Sequence, residues 1–308
     1  MKIATTTEDF SFYCQTDEER IRELHHAGFR YIDLSMYSFT PDCLYMQGNW
    51  REEVMRLKAI ADELGMTFVQ AHSQGGNPLS SKSEHVDFLL KATIRSIEIC
   101  EMLGIKNTVV HAGAKGSIGK AEWFAENKAF YEKLFPVMER CGVNVLCENS
   151  AEINIGKGCY YLYTGKDMRE FIDYVGHPQF GGCWDTGHAN IEGAQYDDIM
   201  AIGDKLWAIH YNDNHGVRDD HIAPFLGSMN HDEVINALID VGFQGYFTLE
   251  SNCSLVSYNK WTEKRRRFQD EHRELKLCEP QLFMQRHMEA MMYETSKWML
   301  KTYSIWEA

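Results

Sequence analysis

The feature that most constrains this chain is an eightfold alternation of two kinds of segment. Short apolar runs suited to strands occur at Ile3 ("KIAT"), 31–35 ("YIDLS"), 67–72 ("TFVQAH"), 107–113 ("NTVVHAG"), 143–150 ("VNVLCENS"), 180–187 ("FGGCWDTG"), 206–213 ("LWAIHYND") and 245–251 ("GYFTLES"). Between them lie longer stretches of helical period, including Asp17–Ala27, Arg51–Leu64, Ser83–Leu103, Ala121–Cys141, Lys166–Val175 and Asp232–Val241. Repeated strand-then-helix order builds a parallel sheet with helices packed on it. Gly28, Gly65, Gly104, Gly142 and Gly242 stand just before the next strand, where a left-handed residue closes a helix. Eight such units predict an α/β chain folded as one (β/α)8 TIM barrel. An open dinucleotide-binding sheet is disfavoured because no G-x-G-x-x-G follows the first strand.

The 308 residues exceed the roughly 250 that a barrel needs, so the surplus must be placed. Residues 1–252 read as the barrel core. Residues 253–279, dominated by charge, read as a polar surface insertion, and 280–308 as an amphipathic helix that closes the barrel. The basic run Lys264–Arg267 reads first as a solvated helix face and second as a phosphate contact.

Charge narrows the partners. A formal net charge of −14 lacks the basic footprint that nucleic acids and anionic membranes require, which favours a small-molecule substrate. The N-terminal "MKIATTTEDF" has no signal-peptide pattern, and no run approaches the roughly 18 apolar residues of a membrane span. The expectation is a soluble cytoplasmic protein. The nine cysteines include no C-x-x-C pair, and Cys100, Cys147 and Cys183 sit in apolar runs, so they read as reduced core thiols.

In a barrel the chemistry sits where the strands end at their C-terminal side. The third to eighth strands finish at or just before His72, His111, Glu148, Asp185 with His188 beyond it, His210 and Glu250. The loop after the seventh adds Asp213, Arg218, Asp219 and His221. Each has a plain explanation alone: a strand-end histidine is usually a satisfied rim group, and Asp185 fits a helix N-cap. Six in succession around one mouth are different, because unpaired buried carboxylates are costly. A shared divalent cation accounts for them together. Trp184, Trp207 and Tyr211 read first as core residues and second as walls of the site.

At these residues the sequence resembles the xylose isomerase-like superfamily of sugar isomerases and epimerases, whose barrel also serves the endonuclease IV type of nuclease. The resemblance spans Lys2 to about Asn252 and is carried by "ENS", "DTGH", "IHYND", "RDDHIAPFLG" and "LES". In the tagatose and psicose 3-epimerase branch, four strand-end residues hold one metal. The matching positions are Glu148, Asp185, His210 and Glu250, which would make Glu148 and Glu250 the acid/base pair as well. The nuclease branch uses further ligands for three zinc ions, matched here by His72, His111, His188, Asp219 and His221. Phe225 departs from the H-x-x-x-G-x-G turn common to both branches by standing at its first glycine.

The resemblance implies a sugar, or sugar phosphate, isomerase or epimerase working by α-proton transfer through an enediolate. His188, Arg218, His111 and His72 would bind substrate, with Arg218 suited to a substrate oxygen or a phosphate. Three oxygen donors and one imidazole favour Mn2+, with Mg2+ or Co2+ next, while the additional histidines and Asp219 and His221 favour Zn2+. The alternative is a metal-dependent hydrolase or lyase with several zinc ions. Pairing of exposed barrel helices into a homo-oligomer is a further implication of the resemblance.

Overall fold

The computed structural model describes residues 1–156, 158–255 and 280–308. From residue 256 onward the expected surface insertion, including Lys264–Arg267, lies outside the described residues. Eight parallel strands form the sheet: β1 (Ile3–Thr6), β2 (Tyr31–Ser35), β3 (Thr67–His72), β4 (Asn107–Val109), β5 (Asn144–Glu148), β6 (Phe180–Asp185), β7 (Leu206–His210) and β8 (Phe247–Leu249). Each of β1 to β7 pairs with the next except at the seam between β7 and β8, and β8 pairs with β1. The barrel closes across that seam by a parallel bridge between Tyr211 and Leu249. Tyr211 N donates to the Thr248 carbonyl at 2.7 Å, and Glu250 N donates to the Tyr211 carbonyl at 3.1 Å. This is the TIM barrel that the alternation predicts.

The helices follow the expected segments closely. They are α1 (Asp17–Ala27), α2 (Trp50–Glu63), α3 (Ser83–Leu103), α4 (Lys120–Glu132), α5 (Phe135–Cys141), α6 (Glu152–Ile155), α7 (Gly165–Val175), α8 (Thr186–Glu192), α9 (Tyr196–Ile202), α10 (His231–Asp240) and α11 (Leu282–Thr302). The five glycines expected at helix ends all have left-handed φ, between 63° and 110°. At α1 the N-terminus carries a full capping box, with Thr16 and Glu19 each satisfying the other's backbone amide. The stretch expected as one helix over Ala121–Cys141 is instead split into α4 and α5, because Pro136 in the first turn of α5 supplies no amide to a continuing helix.

Cys100, Cys147 and Cys183 are fully buried, and the described cysteines are all free thiols, as expected of a reduced core. Trp184 and Tyr211 are likewise buried in the core, and Trp207 packs beside the barrel interior, so none of the three walls the mouth. The last helix, α11, packs against α1, where Gln285 Nε2 donates to the Asp9 carbonyl at 3.0 Å and Tyr293 meets Phe29 edge-on. Among the described residues, no helix is long and apolar enough to cross a membrane.

Candidate metal centre

The strand ends converge as their order requires. Glu148 closes β5, Asp185 closes β6, His210 closes β7, and Glu250 follows β8. One donor atom from each of these four residues lies within 4.8 Å of all the others. Glu148 Oε1 is 2.5 Å from His210 Nδ1, which is also 3.3 Å from Glu250 Oε2. Three carboxylates packed this closely, around one imidazole, repel one another strongly unless positive charge joins them. The donor set therefore fits a divalent cation.

Asp185 has two tasks. One oxygen accepts from the His188 amide at 2.6 Å and caps α8, while the other accepts from Asn212 Nδ2 at 2.8 Å. Gly187 is what lets Asn212 approach: a Cβ there would lie 1.8 Å from Asn212 Oδ1. The helix-cap reading of "DTGH" therefore holds, and the same side chain also stands in the four-residue donor group.

Three histidines share a posture. The Nδ1 atoms of His72, His188 and His221 lie 2.8, 2.9 and 3.0 Å from the carbonyls of Ser73, Asn149 and Glu250. A carbonyl only accepts, so Nδ1 carries the proton and each Nε2 faces the mouth, as in a metal-ligating imidazole. His72 Nε2 lies 3.1 Å from His111 Nε2, which sits 2.7 Å from Glu148 Oε2. On the other side, His188 Nε2 and His221 Nε2 lie 3.1 and 3.0 Å from the two oxygens of Asp219. Beyond the four-residue group, donor atoms cluster at two further places, His72, His111 and Glu148, and Asp185, His188 and His221, while Cys183 forms a third grouping with Glu148 and His210 of the four.

Electrostatics differ sharply within this small space. Burial pushes the Glu148 carboxyl upward, but His210, His111 and His72 outweigh it and hold it well below the usual range. Burial also pushes Glu250 upward, the neighbouring Glu148 and Asp185 add to that, and its histidines only partly offset the rise. Burial disfavours the charged form of His188, yet Asp185 and Asp219 prevail and push it up to about 10. Burial lowers His111, whose single contact with Glu148 does not restore it.

The site residues expected from the sequence reach this mouth except Asp213, which is buried and accepts from the amides of Gly227 and Met229 beneath the following turn, and Arg218, which lies on the rim. There its guanidinium is largely exposed and pairs with Asp220 at 3.2 Å. Several lining residues were not anticipated: Glu8, Ser35, Tyr37, Asn77, Asn154 and Asn252. Glu8 accepts from Ser35 Oγ at 2.5 Å, and Asn154 donates to Asp219 at 2.9 Å. Asp33 was also missed. It lies inside the barrel with Oδ2 3.3 Å from His210 Nε2, on the side of the ring opposite Glu148. Gln70 Nε2 donates to the same oxygen at 2.8 Å. The signal available was a carboxylate in the middle of "YIDLS", an otherwise strand-like run.

Relatives share this architecture. An uncharacterized protein of Sinorhizobium fredii is 25% identical over 260 residues, covering 74% of this chain and 78% of its own. A probable endonuclease 4 of Mycoplasmopsis pulmonis is 23% identical over 205 residues, covering 61% and 68%. Among solved structures, a D-psicose 3-epimerase from Clostridium cellulolyticum superposes with a TM-score of 0.72 at 16% identity, covering 97% of this chain and 99% of that one. A 3-keto-D-glucoside 4-epimerase from E. coli superposes with a TM-score of 0.66 at 20% identity, covering 85% and 95%. The model of the xylose isomerase-like TIM barrel family matches residues 21–276. With that match across most of its length, the chain belongs to the xylose isomerase-like TIM barrel family.

Proposed function

We propose that this protein is a metal-dependent sugar isomerase or epimerase that moves a proton at the carbon next to a carbonyl. The observation that carries the reading is the ring of Glu148, Asp185, His210 and Glu250, whose donor atoms lie within 4.8 Å of one another at the mouth of the barrel. A divalent cation bound there supplies positive charge to the carbonyl and neighbouring hydroxyl oxygens as negative charge develops. Glu148 or Glu250 removes the α proton. The other returns one to the opposite face, giving an epimer, or to the adjacent carbon, giving an aldose–ketose isomer. His188, fixed through Nδ1 by the Asn149 carbonyl, donates to a substrate oxygen, and His72 and His111 border the same space.

The names of the two structural neighbours, both sugar epimerases, support the same chemistry. Three oxygen donors to one imidazole favour Mn2+, Mg2+ or Co2+. A second reading has its own support: the two further donor clusters suit additional zinc ions and hydrolysis of a phosphodiester, and the name of the Mycoplasmopsis relative points the same way. Metal analysis joined to an exchange assay separates them. About one ion per chain, with Mn2+-supported loss of an α proton from ketoses in D2O, is the expected result. Two or three zinc ions per chain with cleavage of an abasic-site oligonucleotide would replace this reading with the second.

A further inference from the structure

The mouth extends well past the donor cluster. Its cavity, about 630 Å³, runs outward along Tyr37, Asn77, Ala114, Ile153 and Asn252. Asn77 and Ala114 also line an open groove of about 800 Å³ between the loops that follow β3 and β4, bordered by Leu79, Ser81, Ser83, Val86 and Lys115. The two spaces adjoin at those residues. A cavity in the range of about 300–1,000 Å³ encloses a drug-sized ligand, and a free monosaccharide is smaller than that.

The shared wall is built in advance. Asn77 Nδ2 donates to the Ala114 carbonyl at 2.6 Å, while its Oδ1 accepts from the amides of Leu79 at 2.9 Å and Ala114 at 3.1 Å. Gly113 packs so tightly that a Cβ would lie 2.6 Å from Asn77 Oδ1. Cys159 N donates to the Lys115 carbonyl at 2.6 Å, tying the groove to the loop after β5. Walls held this way cost little ordering on binding. At the cavity's edge Tyr37 and Ile153 are 37% and 55% exposed, apolar surfaces suited to cover a ring face.

Charge selects against phosphate. Among the described residues lining the cavity and groove, the side-chain cations other than imidazoles are Arg218 and Lys115, and both are paired. Arg218 meets Asp220 at 3.2 Å, and Lys115 meets both oxygens of Glu126 at 2.5 and 2.8 Å. Glu8 and Asp87 add negative charge to the same surfaces. Among the described residues, a phosphate ester there finds no unpaired guanidinium or ammonium to receive it.

We infer that the substrate is a neutral sugar joined to a second group, a glycoside or other sugar conjugate, with the reacting ring at the acids and the second group in the outer cleft and groove. This rests on the isomerase or epimerase reading above. It carries a chemical consequence. A glycosidic link at the anomeric carbon blocks the carbonyl that ring opening exposes, so α-proton transfer on a glycoside requires a ketone at a ring carbon. Such a ketone forms when a secondary hydroxyl gives up a hydride to a nicotinamide or flavin oxidant and a proton to a base, so for a substrate linked through the anomeric carbon of the reacting ring a dehydrogenation must supply it.

The test compares α-proton exchange in D2O, on Mn2+-loaded protein, for a free ketohexose, its 6-phosphate, a glucosyl-ketohexose disaccharide and an aryl keto-glucoside. Either conjugate should show kcat/KM about tenfold or more above both the free and the phosphorylated ketose, the discrimination a few extra buried groups supply. Ser81→Trp, which fills the groove from an exposed position, should cut the conjugate-to-ketose ratio about tenfold with an unchanged melting temperature. A free or phosphorylated ketose exchanging as fast as the conjugates, or a ratio indifferent to Ser81→Trp, overturns the inference and leaves the isomerase reading standing. Exchange with none of the four probes overturns the isomerase reading itself.

Discussion

In the mouth, Glu148 is buried among His210, His111 and His72 and stays ionised, held well below the usual carboxylate range. Beside the end of β1, under α11, Asp9 and Glu289 are equally buried but face each other rather than a base. Burial pushes Asp9 up to about 8, against the hydrogen bonds from Thr5 and Glu289, and pushes Glu289 well above its usual range. Gln285 Nε2, at 2.8 Å from Glu289 Oε1, completes a network that belongs to the packing of α11. The lesson is that a buried acid does not by itself mark a reaction centre. What it faces decides: imidazoles and carboxylates arranged for a cation in one place, a shared proton in the other.

Neutralising a carboxyl of the mouth should therefore abolish its chemistry and leave the Asp9–Glu289 seam under α11 intact. Glu148→Gln or Glu250→Gln keeps size and one oxygen donor but removes the base, so turnover should fall by roughly 10²-fold or more once metal loading is matched. Unchanged turnover in both loaded variants would dismiss them as proton carriers. Asp9→Asn should leave turnover near the parent value, because its carboxyl points at Thr5 and Glu289 rather than into the cavity.

A smaller effect belongs to Asp33. Its carboxylate stands behind His210, where on the proposed reading it is the oxygen partner of a metal-bound imidazole, a relation whose loss typically costs about 10–100-fold in metal affinity. Asp33→Asn should weaken binding of Co2+ by that amount and alter the visible spectrum of the Co2+ protein. Equal affinity and an identical spectrum would reduce Asp33 to a packing residue held by Gln70.

These cases also show how far the sequence could be read. The barrel was legible because each βα unit repeats the same local signals, strand run, helical period and closing glycine, eight times over. The donor residues were legible because strand ends carry a known direction, so His72 through Glu250 could be placed around one mouth without coordinates. Asp33 was not, because a strand's period does not reveal that a mid-strand acid on β2 meets a ring at the end of β7. Glu8 sits on a single 3-10 turn, Thr7–Phe10, and Tyr37 and Asn77 on loops, none of whose courses a periodicity encodes. Asp9 and Glu289 lie 280 residues apart in the chain and meet only once α11 docks.

Acidity distinguishes the two regions without mutation. A carboxyl whose folded pKa is raised holds its proton more tightly folded than unfolded, so its contribution is complete below the unfolded value and is lost as pH rises through the folded one. For Asp9 that window runs from its ordinary 3.8 up to about 8. Unfolding free energy should decline across it with a slope of up to about 1.4 kcal/mol per pH unit for the one proton. Denaturant unfolding at a series of pH values should show that slope in the parent and a shallower one in Asp9→Asn. Parallel curves would mean that the seam does not hold a proton at neutral pH.

The smallest effect concerns the loop where this chain departs from its family's turn. Phe225 adopts φ 69°, the left-handed conformation that glycine takes readily and a bulky residue resists. The turn persists because Asp213, buried at its base, accepts from the amides of Gly227 at 2.9 Å and Met229 at 3.0 Å. The Phe225 ring packs on His231 at 4.3 Å and reaches Trp298 at 5.9 Å, which offsets part of the backbone cost. Phe225→Gly removes both the strain, about 1–3 kcal/mol, and the ring contacts, so stability should shift by only about 1 kcal/mol in either direction. Metal affinity should not change, since the backbone already follows the glycine path and His221 keeps its bond to the Glu250 carbonyl. Calorimetry and metal titration of the one variant settle both points. A tenfold loss of affinity would show that the phenylalanine, rather than Asp213, holds this side of the mouth in place.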